Sequence, residues 1–252
     1  MNSLFDVSGK VVVVTGGSRG IGEMIARGFV NAGATVYVSS RKAEVGDALA
    51  KELSKIGSCT SLPADLSSEA ECRRLANEVG ARESRLDVLV NNAGATWGAP
   101  METYDDVAFE RVLALNVKGV FHLTKFLRPL LEVGATNDNP SRVINIGSID
   151  GLHVPSMETY AYSASKAAVH QLTRHLANGG STGGVAGGAP GRVQPVSPTA
   201  RCGRATGRAR RPRRGSAGRA RRTTGGSAHA RQPAPGPRSR RRVPGRPLPG
   251  RR

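Results

Sequence analysis

Residues 11–22 read Val11-Val12-Val13-Val14-Thr15-Gly16-Gly17-Ser18-Arg19-Gly20-Ile21-Gly22. Four consecutive valines suit a strand buried on both faces, as in a parallel sheet covered by helices. A glycine-rich turn follows at once, and apolar residues then recur at helical spacing over 21–31, stopping before Gly33. In a strand-to-helix turn of this kind each glycine has a use. Gly16 permits the tight turn, Gly20 lets the backbone approach a pyrophosphate, and Gly22 allows close packing of helix on strand. The spacing is T-G-x-x-x-G-x-G, not the general G-x-G-x-x-G. Such a loop by itself can be a plain turn. Its position between a valine strand and a helix favours a dinucleotide site.

The same alternation continues outward. Strand patterns are read at 35–39, 59–63, 86–90 and 142–146, and helical patterns at 44–56, 67–82, 105–132 and 160–177. Five strand–helix units in sequence predict an α/β fold, a doubly wound parallel sheet of the Rossmann-like kind. The second strand ends Ser39-Ser40-Arg41, where a site for NAD would place a carboxylate to bond the ribose 2′-hydroxyl. Ser40 brings no charge, whereas Arg41 and Arg19 can meet a 2′-phosphate through charge-assisted hydrogen bonds. This predicts NADP(H), unless both arginines are ordinary surface residues. Asp65 follows the third strand and can accept from an adenine amino group or cap the next helix. Asn91-Asn92-Ala93-Gly94 closes the fourth strand at the carboxyl edge, as ligand contact or as structural turn.

Tyr162 and Lys166 stand four residues apart in Tyr-Ser-Ala-Ser-Lys, on one face of a helix. A free phenol titrates near ~10, and a neighbouring cation favours its ionised form. Such a tyrosine can protonate a carbonyl oxygen as hydride reaches the carbon. Ser148, at the end of the fifth strand, can hydrogen-bond the same oxygen. A bare Y-x-x-x-K is also a common surface pair. Tyr160 competes as the tyrosine, but Ala164 stands where its lysine would be.

These pieces, together with Asn116 in Leu115-Asn116-Val117, resemble the classical short-chain dehydrogenase/reductase family in order and spacing over residues 7–177. Within it the likeness is to the 3-oxoacyl-[acyl-carrier-protein] reductases of the rhamnolipid-pathway type, carried by residues 15–24, 91–98 with Trp97, and 160–172. The resemblance implies a Ser148–Tyr162–Lys166 triad, with Asn116 completing a proton relay through water. It implies a cofactor surface of Gly16, Ser18, Arg19, Gly20, Ile21, Gly22, Ser40, Arg41, Asp65, Leu66, Asn92, Ala93 and Gly94, touched also by Tyr162 and Lys166. It implies reduction of a ketone, carried as a 3-oxoacyl thioester in fatty acid metabolism. No metal is expected, and a homo-oligomer is usual for the family.

The pattern stops at 178. Residues 178–252 hold 19 Arg, 16 Gly, 10 Pro and 10 Ala, no Lys, Asp, Glu or aromatic residue, and one Leu. The net charge of +18 belongs to this segment, and residues 1–177 carry a net of −1. A composition so poor in apolar side chains does not offset about 1–2 kcal/mol of backbone entropy per ordered residue, so a disordered tail is expected. The domain reading is therefore 1–177 for the truncated NADP-binding domain and 178–252 for the tail. The abrupt change, into residues that GC-only codons encode, points to an out-of-frame stretch. The family's sixth and seventh strands are not legible, which would leave the fifth strand as an open edge. Ala189-Pro190-Gly191 is one of four Pro-Gly pairs in the segment and identifies nothing.

Two alternatives to an active reductase follow. One is an inactive fragment of such an enzyme. The other is non-specific nucleic-acid binding by the basic tail through counterion release; with no aromatic residue to stack on bases, the tail predicts no specific nucleic-acid partner. Three cysteines, Cys59, Cys72 and Cys202, form no metal or disulfide pattern. No apolar run reaches the roughly 18 residues that a membrane span requires. A cytoplasmic location, with no membrane partner, is the resulting expectation.

Overall fold

A computed structural model of the chain describes residues 6–135, 139–179 and 192–196, with the backbone alone for 178, 179 and 192–196. The elements run β1 (Val11–Thr15), α1 (Gly20–Asn31), β2 (Thr35–Ser39), α2 (Ala43–Leu53), β3 (Ser58–Ser61), α3 (Glu69–Gly80), β4 (Val88–Asn91), α4 (Asp106–Leu113), α5 (Val120–Val133), β5 (Arg142–Ile146), α6 (Tyr160–Gly179) and β6 (Arg192–Val196). The sheet order is β3-β2-β1-β4-β5-β6, and every pairing is parallel. This is the doubly wound arrangement expected from the valine strand. The order reverses between β1 and β4, and their carboxyl ends form the crevice where such sheets bind ligands.

The valines divide between two cores because successive strand side chains point to opposite faces. Val11 and Val13 pack with Leu89, Leu75, Leu123 and Leu127, on the side of α3 and α5. Val12 and Val14 pack with Val36, Val38, Val88, Val90 and Leu53, on the side of α1 and α2. Burial on both faces is what the unbroken apolar run required.

Two expectations are corrected. The pattern at 105–132 is not one regular helix. It is α4, a π-helical stretch over Ala114–Gly119, and α5. A wide turn keeps the same apolar stripe, so periodicity does not reveal it. Close packing accompanies it: a methyl group on Gly119 would collide with the Leu66 carbonyl oxygen. The second correction concerns the far side of the sheet, where β5 is not an open edge. Arg142–Ile146 pairs with Arg192–Val196, Val143 opposite Val193 and Ile146 opposite Val196. Composition averaged over the whole segment concealed five residues that need only the main-chain groups of β5. Pro195 lacks an N–H and is tolerated because β6 is outermost. The rest of the segment lies outside the described residues, and with it the expected disorder, the expected out-of-frame stretch, the nucleic-acid reading and Ala189-Pro190-Gly191. Among the described residues no helix is long and apolar enough to cross a membrane, and no cluster of His, Cys, Asp or Glu could hold a metal.

Candidate active site

The glycine loop is braced from β4. Gly16 and Gly20 have φ of 61° and 56°, in the left-handed region that glycine adopts without strain. Thr15 Oγ1 donates to the Val90 carbonyl at 3.2 Å and accepts the Asn92 and Ala93 N–H groups at 2.9 and 3.0 Å. Asn92 Nδ2 donates to the Thr15 and Gly16 carbonyls at 3.0 and 3.2 Å. A methyl group on Gly22 would strike the Gly16 carbonyl and the Asn92 amide. Asn92 therefore holds the shape of the loop, and Thr15, the first residue of the T-G-x-x-x-G-x-G pattern, is the brace that joins it to β4. Arg19 caps α1 with no side-chain hydrogen bond, so the first-turn N–H groups meet no protein cap. That is an anion-binding geometry. Ser18 is half-buried, and Arg19, Gly20 and Ile21 are exposed at the same turn.

Arg41 is exposed beside half-buried Ser40, whose hydroxyl donates to the Lys42 carbonyl at 3.1 Å. Asp65 is exposed. Its Oδ1 accepts from the Ser67 N–H and hydroxyl at 3.1 and 2.7 Å, whereas the cap of α3 is Ser68. Asp65 thus shapes the turn before the helix rather than capping it. The Leu66 side chain lies in the core, so only its main chain is available to a ligand.

The catalytic candidates come together around Lys166. Its side chain is buried, with the residue 6% exposed, and Nζ donates to the Ile146 carbonyl at 2.8 Å. It stands 5.6 Å from the centre of the Tyr162 ring. Burial lowers the lysine's pKa from its ordinary value. A methyl group on Gly94 would lie 3.4 Å from Asn116 Oδ1 and 3.8 Å from Lys166 Nζ. The Asn91-Asn92-Ala93-Gly94 turn thus reaches Lys166. Ser148 opens a short 3-10 turn, Ile149–Gly151, its hydroxyl accepting the Asp150 N–H at 3.2 Å. That turn lies directly on α6: a methyl group on Gly151 would sit 2.6 Å from the Lys166 carbonyl carbon.

Asn116 is fully buried inside the π-helical stretch. Its amide exchanges two hydrogen bonds with the Ala95 main chain, at 2.8 and 2.9 Å, and donates to Ser165 Oγ at 2.9 Å. Ser165 in turn donates to the Tyr162 carbonyl at 2.7 Å. The wide turn brings Asn116 against α6, and π-bulges are frequent at functional sites. Below the site runs a buried polar ladder that sequence reading missed. Asn91 Nδ2 bonds Thr124 Oγ1 and Asn145 Oδ1 at 3.2 and 2.8 Å, and Asn145 Nδ2 bonds Thr173 Oγ1 at 2.9 Å. Its one sequence signal is an asparagine near the end of each adjoining apolar strand. His170, one turn beyond Lys166, is buried against Gly147, and neither ring nitrogen has a partner among the described residues.

The family model of the short chain dehydrogenases matches residues 10–197. The chain belongs to that family. The match reaches past α6 and includes β6. The chain is 51% identical over 177 residues to the rhamnolipids biosynthesis 3-oxoacyl-[acyl-carrier-protein] reductase of Pseudomonas aeruginosa, covering 70% of this chain and 69% of that protein. It is 50% identical to the Pseudomonas aeruginosa RhlG/NADP active-site complex, with a TM-score of 0.69 over 71% of this chain and 70% of that one. A metagenomic short-chain oxidoreductase in complex with NADP is 33% identical, with a TM-score of 0.68 over 77% and 83% of the two chains. In this short-chain dehydrogenase the glycine loop, the Gly94 turn and the Tyr162 helix meet at the carboxyl ends of the strands.

Proposed function

We propose that this chain is an NADP(H)-dependent reductase of a ketone carried as a 3-oxoacyl thioester, forming the 3-hydroxy product. The observation that carries the reading is the convergence on Lys166, whose Nζ stands 5.6 Å from the centre of the Tyr162 ring and would lie 3.8 Å from a Cβ on Gly94. The substrate class is taken from the likeness to the Pseudomonas reductase. The residues present fit the cofactor: an uncapped helix start follows the carboxyl end of β1, and a Cβ on Gly20 would meet no protein atom, so the loop backbone there is open to a phosphate. Gly16 to Gly22 would hold the pyrophosphate, and Arg19 and Arg41 the 2′-phosphate. Asp65 and the Leu66 main chain would border the adenine, and Ala93 and Gly94 the ribose.

Reduced nicotinamide, when bound, supplies a hydride for the carbonyl carbon. Tyr162 gives its hydroxyl proton to the carbonyl oxygen. Ser148 donates a hydrogen bond to that oxygen as charge develops on it. The Lys166 ammonium faces the phenolate that results. Asn116 and Ser165 hold the Tyr162 turn, and a proton returned from solvent through water restores the phenol. The test is steady-state kinetics with a 3-oxoacyl thioester and each coenzyme. NADPH is expected to be preferred over NADH by at least about tenfold in kcat/KM, a difference of about 1.4 kcal/mol. Arg41→Ala is expected to narrow that preference. Equal use of both coenzymes rejects the cofactor assignment, and absence of turnover with either rejects the reaction.

A further inference from the structure

The first N–H groups of a helix have no partner within it and must find one elsewhere. At the start of α6 the Ser163 N–H bonds the Thr159 carbonyl at 3.0 Å, within the same segment. The Ala161 N–H instead bonds the hydroxyl of Tyr104, 57 residues earlier, at 3.3 Å. That hydroxyl donates its own proton to the Trp97 carbonyl at 3.2 Å. A phenol can accept and donate at once, so both bonds are compatible. The ring is fixed as well. It meets Phe109 edge-on at 6.1 Å and Tyr160 edge-on at 5.4 Å. A second strap joins the same two segments, from the Ala99 N–H to the Glu158 carbonyl at 3.2 Å. Trp97 itself is 41% exposed, with the Arg111 guanidinium 5.5 Å from its ring centre.

We infer that Tyr104 is a positioning residue: its hydroxyl anchors the first turn of the catalytic helix and ties that turn to the Trp97 segment. Ala161 immediately precedes Tyr162, so the anchor fixes the backbone from which the proton-donating phenol projects. The inference rests on the reductase reading for its catalytic consequence, and on geometry alone for the anchoring. Misplacement of a reacting group by an ångström costs more rate than binding.

Tyr104→Phe in the full chain keeps both ring contacts and removes only the hydroxyl. Two readouts are taken, kinetics with NADPH and a 3-oxoacyl thioester, and amide hydrogen exchange. Exchange at Ala161 is expected to speed up about fivefold, the loss of one hydrogen bond, with Val169 unchanged. The kcat is expected to fall about tenfold while KM for NADPH stays within about twofold. Unchanged exchange at Ala161 overturns the anchoring. Faster exchange with kcat unchanged overturns the positioning role. A wild-type chain without turnover counts against the reductase reading, and exchange at Ala161 then decides the anchoring by itself.

Discussion

Lys166 is held against the interest of stability. Burial lowers its pKa, so between that lowered value and 10.5 the unfolded chain binds more protons than the folded one. Stability therefore rises with pH through that window, and below it the charge is a standing cost. Lys166→Met is expected to leave Tm unchanged or higher while turnover falls by at least about a hundredfold; a melt and a rate assay on one preparation check both. His170 follows the same sign. Burial, then Arg174 and Lys166, lower its pKa from 6.5. Stability is expected to be lost as pH falls from 6.5 toward that lowered value. His170→Leu gives up no hydrogen bond among the described residues, because neither ring nitrogen makes one there, and a pH series of melts should show it flattening the drop. The proximity of Tyr162 to Lys166 and the place of Ser148 just past β5 were legible in the sequence, because both follow from local spacing on one helix or one strand end. His170 and Thr15 were not, since what they do depends on Gly147 and on β4, distant in the chain.

The elements were legible wherever apolar periodicity is local. β1, β2 and β5 came out within a residue of their observed bounds. The π-helical stretch did not, because one wide turn leaves the stripe intact. It places Asn116 beside Ser165 and sets Gly119 on Leu66. Gly119→Ala forces a methyl group into a buried carbonyl, and such overpacking costs about 1–3 kcal/mol. Its chemical denaturation midpoint should fall with an unchanged slope. A midpoint equal to the wild type would mean that the helix junction yields freely. β6 was missed for another reason: one proline and one arginine in five residues look unlike a strand until β5 offers a partner.

At the scale of the molecule, the unit Met1–Cys202 is compact and holds the six strands of the described residues. A chain ending at 202 is expected to melt with the full chain. One ending at 191 loses β6, bares the apolar edge of β5, and should melt at least about 5 °C lower and aggregate. Equal melting of the two would show that β6 contributes nothing. NADPH at a hundred times its Kd is expected to stabilise the folded state by about 2.7 kcal/mol, which differential scanning fluorimetry reads as a raised Tm.

Isotope transfer tests hydride transfer to the substrate with Tyr162 as the proton donor. Wild-type protein is incubated with a 3-oxoacyl thioester and NADPH deuterated at the transferable C4 position, and the product is weighed by mass spectrometry. The account predicts a 3-hydroxyacyl product carrying one deuterium on C3, formed at least about a hundredfold more slowly by Tyr162→Phe. Product without the label, or Tyr162→Phe working at the wild-type rate, would contradict it.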